Sequence, residues 1–219
     1  MTRFLLSLLA TLAVVAPSAA RAQPQVHAAW VQVTGQGAEA RAVAAGADCP
    51  QAVVDGEARP MTRRTAASAD FPAVCSLAVP AQAQSLSLGG RALALPAKAI
   101  DRVVILGDTG CRVLGLAVQA CNDDKAWPFA SVARLAAARK PDLVIHVGDY
   151  YYRETPCPLD IKACVGSPYG DHWDTWAAEF FDPAAPLLAA APWVFARGNH
   201  ESCSRGGRGW YALLDSGPP

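Results

Sequence analysis

The sequence predicts an α/β protein in two parts, a small all-β module followed by a strand–helix unit wound about a parallel sheet. Three observations carry this. Up to about residue 98 the chain is a series of short alternating or apolar runs, at 30–33, 52–54, 85–88 and 92–95, separated by Gly, Pro and Asp. That is the pattern of a small β module. From Arg102 onward, continuous apolar strands alternate with helical periodicity, the pattern of a parallel sheet buried on both faces. Each of the three later strands ends in a glycine followed by an oxygen-bearing side chain.

The elements follow in order. Arg3 is a positive n-region, 4–15 is almost wholly apolar, and Ala20-Arg21-Ala22 has the form of a cleavage site. Residues 1–22 therefore read as a secretory signal peptide. The apolar run is short for a membrane span, and no second run of spanning length follows. The expected protein is periplasmic or secreted, with no membrane anchor after cleavage. Residues 23–98 are the β module, with 95–100 (LPAKAI) as a linker into the unit at 99–219. In that unit, 102–106 (RVVIL) is a buried strand. A helix follows, capped by Asp123 or Asp124, with Pro128 in its first turn and Phe129, Val132, Ala133 and Ala136 at helical spacing. Pro141 ends it. A second strand runs over 143–147 (LVIHV), helical regions over 173–181 and 186–191, and a third strand over 193–196 (WVFA). Strand–helix–strand–helix–strand is a right-handed wind around a parallel sheet.

Composition bounds the rest. The chain has 219 residues, 52% of them hydrophobic, enough for one good core or two small ones. Its formal net charge is zero, so no basic field indicates a nucleic-acid partner. All seven cysteines follow the cleavage site, in a compartment where disulfides form. Short spacings suggest Cys49 with Cys75, Cys111 with Cys121 and Cys157 with Cys164, leaving Cys203 over. There is no C-x-x-C pair, no P-loop G-x-x-x-x-G-K and no H-E-x-x-H, so thiolate zinc, nucleoside triphosphate and zincin chemistry have no support.

The three strand tips read Gly107-Asp108-Thr109-Gly110, Gly148-Asp149-Tyr150-Tyr151-Tyr152 and Gly198-Asn199-His200-Glu201. In a parallel α/β sheet the carboxyl ends of the strands share one edge, and ligands bind there. Asp108, Asp149 and Asn199 should therefore converge. Two carboxylates side by side repel, and a cation between them removes that cost. His146, inside a strand, reads as a core or supporting histidine. Tyr150 and Tyr151 read as packing residues, and Arg197 and Arg205 as solvated.

These motifs resemble those of the calcineurin-like metallophosphoesterases, over about 102–211. That family places D-x-H or D-x-G, then G-D, then G-N-H-[DE], after successive strands. Here Gly110 stands where the commoner form has histidine, and Tyr152 fits G-D-x-x-Y. Both features point to the purple acid phosphatase branch, which often carries a β module before its catalytic domain. The resemblance implies the first half of an αββα sandwich. It also implies two metal ions, Fe(III) with Zn, Mn or Fe(II), and a small phosphorylated substrate hydrolysed by a metal-bound hydroxide. By motif, Asp108 binds the first ion and Asp149 bridges both. Tyr152 completes the first site as a phenolate, and Asn199 binds the second ion. His200 contacts phosphate or protonates the leaving oxygen, with Glu201 orienting it. The family's later histidines have no counterpart after His200. The expectation is a C-terminally truncated catalytic domain, inactive as it stands. A non-catalytic exported binding module of the same fold, or a nucleotidase or phosphodiesterase, are the alternatives.

Overall fold

In a computed structural model, residues 24–158 and 160–217 are described; the expected signal peptide lies outside them. The β module is built from β1 (Val26–Thr34), β2 (Gly37–Ala44), β3 (Gln51–Val54), β4 (Glu57–Pro60), β5 (Thr62–Thr65), β6 (Ala73–Ala78), β7 (Leu86–Leu88) and β8 (Arg91–Ala92). The following unit contains β9 (Val103–Leu106), a hairpin of β10 (Val113–Leu114) and β11 (Ala117–Val118), α1 (Phe129–Ala138) and β12 (Leu143–His146). It continues with α2 (Trp173–Trp176), a π-turn (Ala177–Phe181), α3 (Asp182–Ala190) and β13 (Trp193–Phe195). It closes with α4 (Gly207–Gly209) and a π-turn (Trp210–Leu214).

The expected α/β class holds, and the sheet runs across residue 98. Seven strands lie in the order β5-β6-β2-β1-β13-β12-β9, with β1 beside β13 in parallel at Gln32↔Trp193. The β-module strands in it are antiparallel to one another, whereas β13, β12 and β9 are parallel. A four-stranded sheet, β4-β3-β7-β8, packs on the antiparallel half. Alternation along β1 sorts the two cores. Ala29 and Val31 face Ala52, Val54, Leu86 and Leu88 of the small sheet, while Ala28 and Trp30 face the helices. Gln32, buried in β1, donates to Leu214 O at 2.7 Å, and Arg41, buried in β2, donates to Leu213 O at 3.0 Å. The β module thus grips the last described turn.

Several elements differ from expectation. Strands β2, β4, β5 and β6 were not expected; β2 (GAEARAVA) is alanine-rich with a buried arginine and carries little strand signal. Helix α1 begins at Phe129 with no side-chain cap; Asp123 instead accepts from the Lys125 N–H at 2.8 Å in the preceding turn. Val132 stays exposed while Phe129 and Ala133 are buried. The two helical pieces at 173–191 join through the π-turn, with Pro186 inside α3.

The helices cover one face of β9, β12 and β13, where Val104, Leu106, Val144, Trp193 and Phe195 meet Phe129, Phe180 and Leu187. On the other face Ile105 is 66% and Val103 44% exposed. The three expected cysteine pairs are bonded, with Cα–Cα distances of 5.7, 5.7 and 5.6 Å in chain order, and Cys203 is free and exposed. Two of the pairs, Cys111–Cys121 and Cys157–Cys164, close the loops that follow β9 and β12.

Candidate metal centre

Register brings the three tips together. Leu106 of β9 pairs with His146 of β12, and His146 with Phe195 of β13, so the strands end level. The loops are then stitched. Asp108 N–H donates to Gly148 O at 3.2 Å and Thr109 N–H to Asp149 O at 3.1 Å. Asp108 (φ 53°) and Asp149 (φ 62°) both lie in the left-handed region. Side chains other than Asn, Asp and Gly rarely go there, and such outliers cluster at functional sites. The second and third loops meet glycine to glycine. A Cβ on Gly198 would stand 2.0 Å from Asp149 Oδ1, and one on Gly148 would stand 2.6 Å from the Gly198 backbone.

The oxygen donors face one another. Tyr152 OH donates to Asp108 Oδ1 at 2.6 Å. His200 N–H donates to Asp149 Oδ1 at 3.0 Å. The Asn199 amide packs between Asp149 and Arg205. With its nitrogen on Asp149 Oδ2 at 3.1 Å and its oxygen on Arg205 at 3.2 Å, both ends are satisfied. Turned over, the amide oxygen faces the carboxylate, an arrangement that needs a cation between them. Asp108, Asp149, Tyr152 and Asn199 are all oxygen donors, which suits hard cations such as Fe(III), Mn or Mg. Four donors are too few to enclose two ions. Among the described residues no group of three His, Cys, Asp or Glu side chains comes close enough to hold a metal. The residues fit one side of such a site. Burial, the Asp108 hydrogen bond and the charges of Asp108 and Asp149 push the Tyr152 phenol up, and Arg112, 5.6 Å from the ring centre, opposes them.

Two buried glutamates fasten the loops. Glu201 accepts backbone N–H groups from Asp149 (3.0 Å), Tyr150 (2.8 Å), Tyr151 (3.0 Å) and Gly198 (3.0 Å). Burial raises its pKa and these four bonds oppose the rise. Glu201 was expected to orient His200; it instead ties the second loop to the third. Glu179, from the first π-turn, accepts from Cys111 (2.8 Å), Tyr152 (3.0 Å) and Arg153 (3.3 Å), tying the first loop to the second. Burial pushes its pKa up to about 8, against the nearby Arg153 guanidinium and those bonds. Sequence reasoning missed Glu179. Its signal was a lone carboxylate in the apolar run Ala177–Phe181 (AAEFF).

The His200 ring stacks on Tyr152, centroids 3.8 Å apart. Its Nδ1 lies 2.8 Å from Tyr151 O, an acceptor, and 2.6 Å from a terminal nitrogen of Arg205, a donor, so carbonyl and guanidinium both meet the same ring nitrogen. Arg205 reaches Nε2 at 3.1 Å. Arg205 is not the solvated residue expected: its Nε donates to Glu154 Oε2 at 2.9 Å and its other terminus meets Glu154 Oε1. Beneath the site His146 is buried, its Nδ1 accepting from Gly148 N–H at 3.2 Å and its Nε2 2.9 Å from Thr109 Oγ1. His172 stays away from the site, its ring on Tyr169 O. Tyr150 is buried among aromatic rings, and Arg197 lies over the Tyr211 ring.

Comparison with known proteins gives three findings. The calcineurin-like phosphoesterase family model matches residues 101–217. Two solved structures are similar. One is the purple acid phosphatase PPD1 from yellow lupin (Lupinus luteus) seeds, with 17% identity and a TM-score of 0.44, covering 82% of this chain and 36% of that one. The other is PhoD, with 14% identity and a TM-score of 0.41, covering 85% of this chain and 41% of that one. The chain thus spans well under half the length of either. No curated protein sequence matches significantly. The family match spans more than half of the chain and takes in all three strand tips: the chain belongs to the calcineurin-like phosphoesterase family.

Proposed function

We propose that the chain is part of an exported, purple acid phosphatase-like phosphoesterase with two metal ions, hydrolysing small phosphorylated substrates. The observation that carries the reading is the meeting of Asp108, Asp149, Tyr152 and Asn199 at one sheet edge, with both aspartates in left-handed backbone conformations. The proposed organisation is a leader at 1–22, a β module at 23–98 and a catalytic unit at 99–219, built on one shared sheet. Export accords with the bonded cysteine pairs. Among the described residues no helix is long and apolar enough to cross a membrane.

Asp108 and Tyr152 would hold one ion, Asn199 the other, and Asp149 both. A two-metal site of this kind supplies positive charge for phosphoryl oxygens and activates water for in-line attack. The chain's own groups do the rest. The His200 ring is held between Tyr151 O and the Tyr152 ring, and through an Nε2–H it would bind a phosphoryl oxygen or pass a proton to the leaving oxygen. Glu179 and Glu201 keep the loops in register while carboxylates crowd the edge.

The test is metal content and hydrolysis of p-nitrophenyl phosphate by the full gene product, alongside Asp149→Ala. The variant should lose bound metal and at least roughly a hundredfold in rate, the scale expected when a bridging ligand goes. Equal metal content and equal rate would sink the reading. The thin donor set favours a second one, a non-catalytic exported binding module. It predicts no hydrolysis from any form and an Asp149→Ala variant that behaves as wild type.

A further inference from the structure

Outside the expected donors, the best-organised polar group at the sheet edge is Arg205 with Glu154. The guanidinium is held as a fork, Nε on Glu154 Oε2 at 2.9 Å and one terminal nitrogen on Glu154 Oε1. A bidentate pair fixes the plane as well as the position of an arginine. Its root is fixed too, since Arg205 N–H donates to Ser202 O at 2.9 Å. The terminal nitrogens also reach two neighbouring side chains: the one on Glu154 lies 2.6 Å from His200 Nδ1 and 3.1 Å from Nε2, and the other donates to the Asn199 amide oxygen at 3.2 Å. A working site would claim both groups for other partners, a cation for the amide oxygen and a phosphoryl oxygen for an imidazole N–H. When they are claimed, Arg205 keeps its hold on Glu154 and presents two unpartnered donors at the same edge. The side chains remain reachable, with Arg205 26% and Glu154 16% exposed.

We infer that Arg205 is a substrate-binding residue that takes a phosphoryl oxygen, and that Glu154 is its positioning residue. The inference rests on the phosphoesterase reading for its substrate, while the geometry is independent of it. The other arginines near the tips are placed differently. Arg197 turns away onto Tyr211, and the exposed Arg112 lies over the Tyr152 ring. Arg205 exchanges no proton in this role. It stays a cation, and its pairing with Glu154 raises its pKa further.

The experiment is calorimetric titration of the full gene product with inorganic phosphate, with zinc and iron supplied and again metal-free. Wild type is compared with Arg205→Met, Arg205→Lys and Glu154→Gln, with metal content and melting temperature as controls. Arg205→Met should weaken phosphate binding roughly tenfold to a hundredfold, the scale of a charge-assisted hydrogen bond, with metal content unchanged. Arg205→Lys, which keeps the charge and loses the fork, should recover part of it. Glu154→Gln should show a smaller loss and a rise in KM for p-nitrophenyl phosphate larger than its fall in kcat. Unchanged phosphate affinity in both arginine variants overturns the inference, as does a wild type that binds phosphate in neither form. If wild type takes up no metal and hydrolyses nothing, the phosphoesterase reading fails separately, and the metal-free titration still decides Arg205.

Discussion

His146 sits beneath the site with both ring nitrogens engaged, Nδ1 by the Gly148 N–H and Nε2 by Thr109. Burial pulls its pKa down from the ordinary 6.5 to about 3, so the folded protein holds it neutral. The unfolded chain takes up a proton near pH 6.5, where the folded one does not until about pH 3. The stability from neutral His146 is therefore whole above pH 6.5 and is lost as pH falls toward 3. At pH 4.5, two units below the unfolded value, that loss is about 2–3 kcal/mol. His146→Gln can keep both hydrogen bonds without titrating. Urea unfolding at pH 7 and 4.5 should show a smaller acid loss in the variant by about that amount; equal losses would refute it. Gly110 makes a second residue-level case. A Cβ there would meet Tyr150 O and the Tyr152 ring at 2.5 Å and Glu179 at 2.8 Å. The Tyr152 ring and Glu179 crowd the space a larger residue at 110 would need, which gives a steric reason for glycine where the commoner family motif has histidine. Gly110→Ala should cost about 1–3 kcal/mol or more by overpacking, read as a lower melting temperature. The sequence showed that Gly110 and Tyr152 depart together from that motif; their contact across the loops was visible only in the fold.

Among the elements, the π-turn Ala177–Phe181 delivers Glu179 to the loops after β9 and β12. Glu179→Ala would strand the N–H groups of Cys111, Tyr152 and Arg153 in a buried place. The expected cost is about 3–5 kcal/mol, with faster amide hydrogen exchange at Cys111 and Tyr152. Unchanged exchange there would show that the loops hold themselves. The strands β9, β12 and β13 were legible because apolar runs closed by glycine leave little choice of structure. Strand β5 (TRRT) was not, because it lies at a sheet edge and carries no apolar periodicity. The sequence predicts two helical pieces after β12, at 173–181 and 186–191. Here Pro186 stands one turn inside α3, just after a π-turn that has already broken the regular bonding. Asp108, Asp149 and Asn199 were legible from their places after strands. Glu179 and Glu154 were not, since the partners of each come from distant parts of the chain.

On the scale of the whole molecule, the shared sheet leaves one apolar face open beside β9, with Ile105 and Val103 at its outer edge. A patch of this kind binds hydrophobic dyes and promotes association. Ile105→Lys combined with Val103→Thr should reduce dye fluorescence severalfold while changing unfolding free energy by no more than about 1 kcal/mol, as surface changes do. Unaltered fluorescence would mean that the face is already covered. The join between β1 and β13 also has a consequence in time. Gln32 pairs with Trp193 and its side chain holds Leu214 O, so a strand made early is completed only by residues made late. At ordinary rates of synthesis the gap is on the order of ten seconds. Throughout it, β1 has a free edge able to accept any passing strand. The order of synthesis, and not only the stability of the finished sheet, thus bears on whether β1 meets its own partner first.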